Sequence, residues 1–257
     1  MHPAPSTAPG TPHPARHPAP STTHPAPVSV IIPVFRDAGA LVRVLAAPEI
    51  LEGAEVVVAT APGDASLDSV RAAHPHVTWV DGPRGRAPQM NAGAAVASGR
   101  WLLFLHADTQ LPCDWRDAIA AADRDPRVSL GCFRFALDSG SPFARAIEVG
   151  VRLRVALFGL PYGDQALFVR RDLFEAIGGY AEIPIMEDVD LVRRLRTEGR
   201  LFRSPLPAVT SARRWEEEGW IRRTARHVAL IVRYLAGTPP ERLVRHDPAR
   251  NQTGMYL

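Results

Sequence analysis

Lysine is absent from this chain of 257 residues; all thirty basic side chains are arginine. That excludes chemistry built on a Schiff-base lysine or on the lysine of a phosphate-binding loop. Cysteine is nearly absent. Cys113 and Cys132 make neither a disulfide framework nor a metal spacing, which fits reduced thiols in a cytosolic setting. No Gly-x-Gly-x-x-Gly follows the first apolar run, so a dinucleotide-dependent dehydrogenase is disfavoured. No apolar run reaches the roughly 20 residues that a membrane-spanning helix needs. Net charge is only +3, too small for a dedicated nucleic-acid binder.

Apolar residues make up 46% of the sequence, ample for a core. Residues 1–26 contribute little of it. Apart from Met1 and Gly10 they are Pro, Ala, Ser, Thr and His, with Arg16 the one charged side chain, and they lack the apolar core of a signal peptide. Such a segment buries too little surface to offset its ordering entropy and is expected to be a disordered tail.

Order is expected from Val28-Ser29-Val30-Ile31-Ile32-Pro33, a β-branched strand signal. A helix at 38–47 follows, then a strand at 55–59, a short helix around 65–73, a strand at 77–80 and a Gly- and Ala-rich helix from Gly85 to Ser98. Strand and helix alternating at this cadence argue for right-handed crossovers and a mainly parallel sheet. The middle of that sheet is Trp101-Leu102-Leu103-Phe104-Leu105, five large apolar residues in a row, as in a strand buried on both faces. It runs into His106-Ala107-Asp108-Thr109. In open α/β sheets ligands bind past the carboxyl ends of the strands, and a carboxylate there is placed to hold a divalent cation against a phosphate.

The second half is less regular. A long strand at 128–137 precedes Ser141-Pro142, a helix cap followed by a first-turn proline. Phe143, Ile147, Val151, Val155 and Phe158 mark one helical face. Residues 165–169 return to strand, and Glu187-Asp188 open a helix that ends near Gly199.

Taken together, these segments resemble a family 2 glycosyltransferase of the GT-A fold, over roughly residues 28–215. Val28 to Pro33 is similar to that family's first strand, with Asp37 where an acidic residue approaches the nucleotide. Leu105-His106-Ala107-Asp108 sits where the family carries Asp-x-Asp, Glu187-Asp188 resembles its Glu-Asp pair, and Arg213-Arg214-Trp215 its Arg-Trp motif. Arg86-Ala87-Pro88-Gln89-Met90-Asn91-Ala92-Gly93 and Pro161-Tyr162-Gly163-Asp164-Gln165 are similar to a bacterial subgroup of uncertain substrate.

The resemblance implies a metal-dependent, inverting transfer of sugar from a nucleotide-diphosphate donor to a hydroxyl acceptor. Mg²⁺ or Mn²⁺ is implied on Asp108, with His106, which replaces the first aspartate, as a further ligand. Asp188 is implied as the catalytic base. Pro33, Asp37, Thr60, Asp64, Arg86, Asn91 and Asp108 are candidates for the nucleotide side, Thr60 standing where the family offers an aspartate to the base. Asp164, Gln165, Glu187, Arg214 and Trp215 are candidates for donor sugar or acceptor. Two rivals accompany this reading: a degenerate relative that binds sugar nucleotide or a membrane surface without turnover, and a nucleotidyltransferase on a related fold. Against the latter, Pro33-Val34-Phe35-Arg36-Asp37 lacks a glycine-rich basic loop.

Three segments are expected: the tail 1–26, a GT-A domain at 27–215, and a C-terminal amphipathic helix and tail at 216–257. In that helix Trp220, Ile221, Thr224, Val228, Ile231 and Leu235 fall together, with Arg222, Arg223, Arg226 and Arg233 around them. Residues 210–250 hold nine Arg against five acidic residues. A lipid-linked acceptor of polyprenyl or carotenoid type, and a cytoplasmic protein peripheral on the inner face of the cell membrane, fit that helix.

Overall fold

The β-branched and apolar runs become strands. In the computed structural model, which describes residues 27–47, 50 and 52–244, Val28–Pro33 is β1, Glu55–Thr60 β2, Thr78–Asp81 β3 and Trp101–Phe104 β4. β1 pairs in parallel with β2 and β4, and β2 with β3. Between them lie α1 (Ala38–Leu45), α2 (Asp68–Ala73) and α3 (Arg86–Val96). The first half is therefore the alternating parallel arrangement that the sequence pattern predicts. The expected tail, 1–26, and the chain beyond 244 lie outside the described residues.

The second half adds β5 (Thr109–Gln110), α4 (Trp115–Asp123), β6 (Val128–Leu137), α5 (Pro142–Phe158), β7 (Phe168–Arg170) and α6 (Arg171–Ala176). It ends in α7 (Glu187–Glu198), β8 (Arg200–Thr210), α8 (Arg213–Glu218), α9 (Trp220–Leu235) and α10 (Pro240–Val244). One sheet runs β3-β2-β1-β4-β7-β6-β8-β5. β7 is antiparallel to both β4 and β6, and β5 to β8, so this half is mixed where the first is parallel.

Alternation along the strands explains the layers. In β1, Val28, Val30 and Ile32 face a core closed by α1 and α4, while Ile31 faces one closed by α3 and α7. Trp101 and Leu103 against Leu102 and Phe104 repeat this in β4. Helices on both faces are what let these strands be apolar throughout.

Three elements differ from the sequence expectation. Of the strand expected at 165–169, Gln165 ends a 3-10 turn that starts at Gly163, and β7 starts only at Phe168. β8 carries no apolar alternation; Pro205 and Pro207 interrupt it where the pairing with β6 shifts register, the place a sheet tolerates proline. Helix α5 keeps the middle of the expected face, with Val155 buried and Ile147 and Val151 packed against the core, but Phe143 and Phe158 at its ends are exposed and Ala144 and Glu148 are buried instead. The Glu148 carboxylate accepts the Leu137 N–H at 2.9 Å and pairs with Arg145 at 2.6 Å.

Close approach at one glycine sets the β6–β7 contact. Gly131 lies opposite Phe168, and a Cβ there would fall 2.1 Å from Phe168 Cζ. Phe168 is fully buried, with Trp101 and Phe133 rings 5.7 and 5.5 Å away. Gly131→Ala is expected to lower stability by about 1–3 kcal/mol through overpacking. Gly140→Ala, with open space around its Cβ, should stay within about 0.5 kcal/mol. Urea midpoints of the two variants check the contrast.

Candidate active site

The carboxyl ends of β1 and β4 open into a cleft walled by α7, α8 and α9. Pro33 and Asp37 enter it from the β1 loop, His106 and Asp108 from the β4 loop, and Arg86 from the start of α3. Tyr162 and Asp164 come from the turn after α5, Glu187 and Asp188 from the first turn of α7, and Arg214 and Trp215 from α8. Hydrogen bonds tie these loops together. Thr109 and Thr210 hydroxyls meet at 2.9 Å, Thr210 donates to the Asp164 carbonyl at 3.1 Å, and the Ser211 N–H donates to the Asp108 carbonyl at 3.1 Å.

Asp188 is the most firmly held of the acids. Its Oδ2 accepts the Gly163 N–H at 2.8 Å and its Oδ1 accepts the Val189 N–H at 2.8 Å. A carboxylate has about four acceptor sites, so two remain for a substrate proton. Gly163 cannot be replaced without moving its neighbours, since a Cβ would sit 2.7 Å from His106 Nε2 and 3.5 Å from Asp188 Oδ2.

The electrostatics separate the groups. Burial, then the Arg86 and Arg214 charges, hold the His106 imidazole well below its usual pKa, so it is neutral at pH 7. Burial pushes the Asp164 carboxyl up to about 6; Arg154 opposes the rise, while Asp188 and Asp108 add to it. Glu187 is buried, and its Oε1 accepts from Arg86 at 3.1 Å. Arg86 and Glu187 thus neutralise each other beside the cleft.

Backbone strain gathers here too. Among the described residues the non-glycine residues at positive φ are Arg36, Ala166 and Met186. They stand next to Asp37, two residues after Asp164, and two before Asp188. Each costs about 1–3 kcal/mol, and such strain concentrates at functional sites.

The family model described as Glycosyl transferase family 2 matches residues 29–181, more than half of the chain. The chain belongs to glycosyl transferase family 2. No curated protein sequence matches it. Among solved structures it is similar to the mannosyltransferase PcManGT from Pyrobaculum calidifontis in complex with GDP-Man and Mn²⁺, with TM-score 0.61 and 22% identity over 87% of this chain and 68% of that one. It is also similar to S. aureus TarS 1–349 in complex with UDP-GlcNAc, with TM-score 0.52 and 16% identity over 72% of this chain and 58% of that one. The chain thus spans less than two thirds of that TarS fragment. These likenesses support the GT-A fold, and family membership removes the nucleotidyltransferase alternative.

Against the sequence-based candidates of this family 2 chain, the cleft gathers Pro33, Asp37, Arg86, His106, Asp108, Asp164, Glu187, Asp188, Arg214 and Trp215. Four others are not among its lining residues. Asn91 exchanges two 2.9 Å hydrogen bonds with the Tyr180 backbone. Gln165 is buried between the Phe133 carbonyl and Arg154. Asp64 accepts the Arg36 N–H at 2.6 Å and holds the β1 loop. Thr60 donates to Asp81 at 2.5 Å. Asp37 lines the cleft but also caps α1 through the Ala40 N–H and pairs with Arg213 at 3.4 Å.

Two groups escape sequence reasoning. Asp81, at the exposed end of β3, pairs with Arg71 at 3.2 Å, and Thr60 and Arg71 hold its carboxyl below the usual range. An acid closing a third parallel strand was the available signal. Helix α9 supplies Arg223, His227, Leu230 and Ile231 to the cleft. Arg223 lies over the Trp215 ring at 4.8 Å, and burial followed by arginine charges lowers His227 to about 3. Asp164 Oδ1, Trp215 Nε1, Thr224 Oγ1 and His227 Nε2 are buried and have no hydrogen-bond partner among the described residues.

The raised Asp164 pKa has a stability consequence. The folded state holds this proton more tightly than the unfolded state, whose carboxyl titrates near 3.8. Its contribution is complete below about pH 4 and is lost as pH rises through about 6. Asp164→Asn, measured without divalent ions, is expected to gain on the order of 1–3 kcal/mol over wild type at pH 8 and nothing at pH 4. An equal effect at both pH values would contradict a buried, proton-holding Asp164.

Proposed function

We propose that this family 2 protein is an inverting, metal-dependent glycosyltransferase that moves a sugar from a nucleoside-diphosphate donor to a hydroxyl acceptor. The observation that carries the reading is the Asp188 carboxylate. It is fixed by the Gly163 N–H and stands in one cleft with Asp108 and a neutral imidazole. Sugar-nucleotide ligands in structurally similar proteins, GDP-Man and UDP-GlcNAc, support the donor class.

In a single displacement the acceptor oxygen forms a bond to the anomeric carbon. The bond from that carbon to the diphosphate oxygen breaks with both electrons leaving on the diphosphate, and the configuration inverts. Asp188 takes the hydroxyl proton, a task a carboxylate performs when held within hydrogen-bond reach. Its own backbone hydrogen bonds keep the carboxylate aimed. Arg214 and Trp215 suit the diphosphate and a sugar face, respectively.

Mg²⁺ or Mn²⁺ would be held by Asp108, with neutral His106 offering a nitrogen. Among the described residues no group of three or more His, Cys, Asp or Glu is placed for a metal. Such a short ligand set suits a cation that completes its shell with phosphate oxygens and water, as Mg²⁺ commonly does. Bound there, the ion would supply Lewis-acid stabilisation of the leaving diphosphate. Mn²⁺ accompanies GDP-Man in the PcManGT complex, which supports this assignment. The unpartnered polar atoms of Asp164, Trp215 and His227, which line the cleft, fit a hydroxyl-bearing acceptor, and the apolar outer side of α9 favours a lipid-linked one of polyprenyl or carotenoid type.

The base assignment is tested with Asp188→Asn. Asparagine keeps the size and one of the two acceptor oxygens, enough to hold the Gly163 N–H, but not the proton affinity. The single-turnover transfer rate is expected to fall about 100-fold or more with donor affinity retained. A variant keeping over about a third of the wild-type rate, with chemistry limiting, would assign Asp188 to helix capping. Donor binding with no turnover in the wild type would favour the degenerate relative.

A further inference from the structure

Helix α9 packs the wrong way round for an ordinary surface helix. Its inward side carries Arg223, His227, Leu230 and Tyr234, with Arg223 and Leu230 buried. Arg223 and Arg226 both pair with Glu218 of α8. Its outward side carries Ile221, Val228, Val232 and Leu235, spaced i, i+7, i+11 and i+14. Ile221 is 73% exposed and Val232 57%. Amphipathic helices normally bury such a stripe.

A second helix does the same beside it. On α5, Val149, Leu153 and Leu157 recur at i, i+4 and i+8, with Leu153 54% and Leu157 73% exposed. Phe143 at the start of α5 stacks on Trp220 at the start of α9, with centroids 6.5 Å apart and planes 19° apart. The two helices therefore meet at their first turns. Nine of the eleven large apolar side chains exposed among the described residues lie on these two helices. Large contiguous apolar patches of this kind mark interaction surfaces.

Charge decides between occupants. Helix α9 contains no acidic residue, and the one acid of α5, Glu148, is buried against Arg145. Arg152, Arg222 and Arg233 are exposed at the margins. A second copy docking about a two-fold axis would bring arginine margins together without acids from either helix to meet them. An anionic lipid surface meets both properties, taking the apolar stripe at the acyl boundary and the arginines at the headgroups. No helix among the described residues is long and apolar enough to cross a membrane.

We infer that the outward faces of α5 and α9 form one docking surface for an anionic bilayer, on which both helices lie in the interface plane. The inner side of α9 is a wall of the cleft, so docking holds the cleft against the lipid. The surface goes beyond the transferase reading and is tested without substrate.

The test is co-sedimentation of the full chain with vesicles of phosphatidylcholine alone and of phosphatidylcholine with 30 mol% phosphatidylglycerol, about the anionic fraction at which basic surface residues contribute. Binding to the anionic vesicles is expected, weakening as salt screens the arginines. Leu153→Glu with Val232→Glu should lower partitioning about tenfold or more, since each places a charge in the buried stripe. Both positions are exposed, so the thermal midpoint should be unchanged, and that midpoint is measured alongside. Arg222→Gln with Arg233→Gln should lower it about fivefold per arginine. The inference is overturned if neither vesicle binds at low salt, if neutral vesicles bind equally well, or if the glutamate variant binds like wild type. A dimer that the glutamate substitutions dissociate, seen by sedimentation velocity, would assign the face to a second copy and overturn it as well.

Discussion

The site depends on one hydrogen bond, from the Gly163 N–H to Asp188 Oδ2 at 2.8 Å. It joins the first turn of α7 to the turn after α5, two segments far apart in sequence. His106, from the end of β4, packs so close to the same glycine that no side chain fits. Three chain segments thus meet at one atom-sized gap. A longer side chain there would part Asp188 from His106, and with them the acid and metal halves of the proposed mechanism.

Around that contact the charges are arranged in an order that follows from burial. Burial lets Asp164 keep its proton to about pH 6. Asp188 instead accepts two backbone N–H groups, which fix the direction of its carboxylate. Glu187, next to it, is matched by Arg86. Neighbouring carboxylates with different environments are suited to different tasks, and Asp188 is the one that two backbone N–H groups hold in place at the cleft. Positive φ at Arg36, Ala166 and Met186 shows that the backbone was bent to reach this arrangement rather than relaxed into it.

The parallel half of the sheet was legible because its strands are buried on both faces and read as unbroken apolar runs. So was the helix cap at Ser141, where local chemistry alone decides the boundary. His106, Asp108, Glu187 and Asp188, singled out by the end of the central strand and by the family resemblance, line one cleft. What escaped was set by tertiary contacts. β8 is a strand only because β6 lies beside it, and its prolines hide it from any periodicity. Asn91 and Gln165 are polar residues in suggestive motifs, yet their amides are occupied by backbone groups of other segments. On α5, Glu148 is buried where its carboxylate accepts the Leu137 N–H, and on α9 Arg223 is buried against Glu218 and the Trp215 ring. A charged residue on a helix reads as exposed until its partner on another element is known.

The most direct test of the account is calorimetric titration with GDP and UDP, with and without Mn²⁺, on wild type and Asp108→Asn. The account predicts that at least one nucleoside diphosphate binds wild type in a metal-dependent manner. It further predicts that Asp108→Asn weakens that binding by about tenfold or more while the fold survives, as loss of a metal ligand should. Binding of the same strength with and without Mn²⁺, and unchanged by Asp108→Asn, would contradict it.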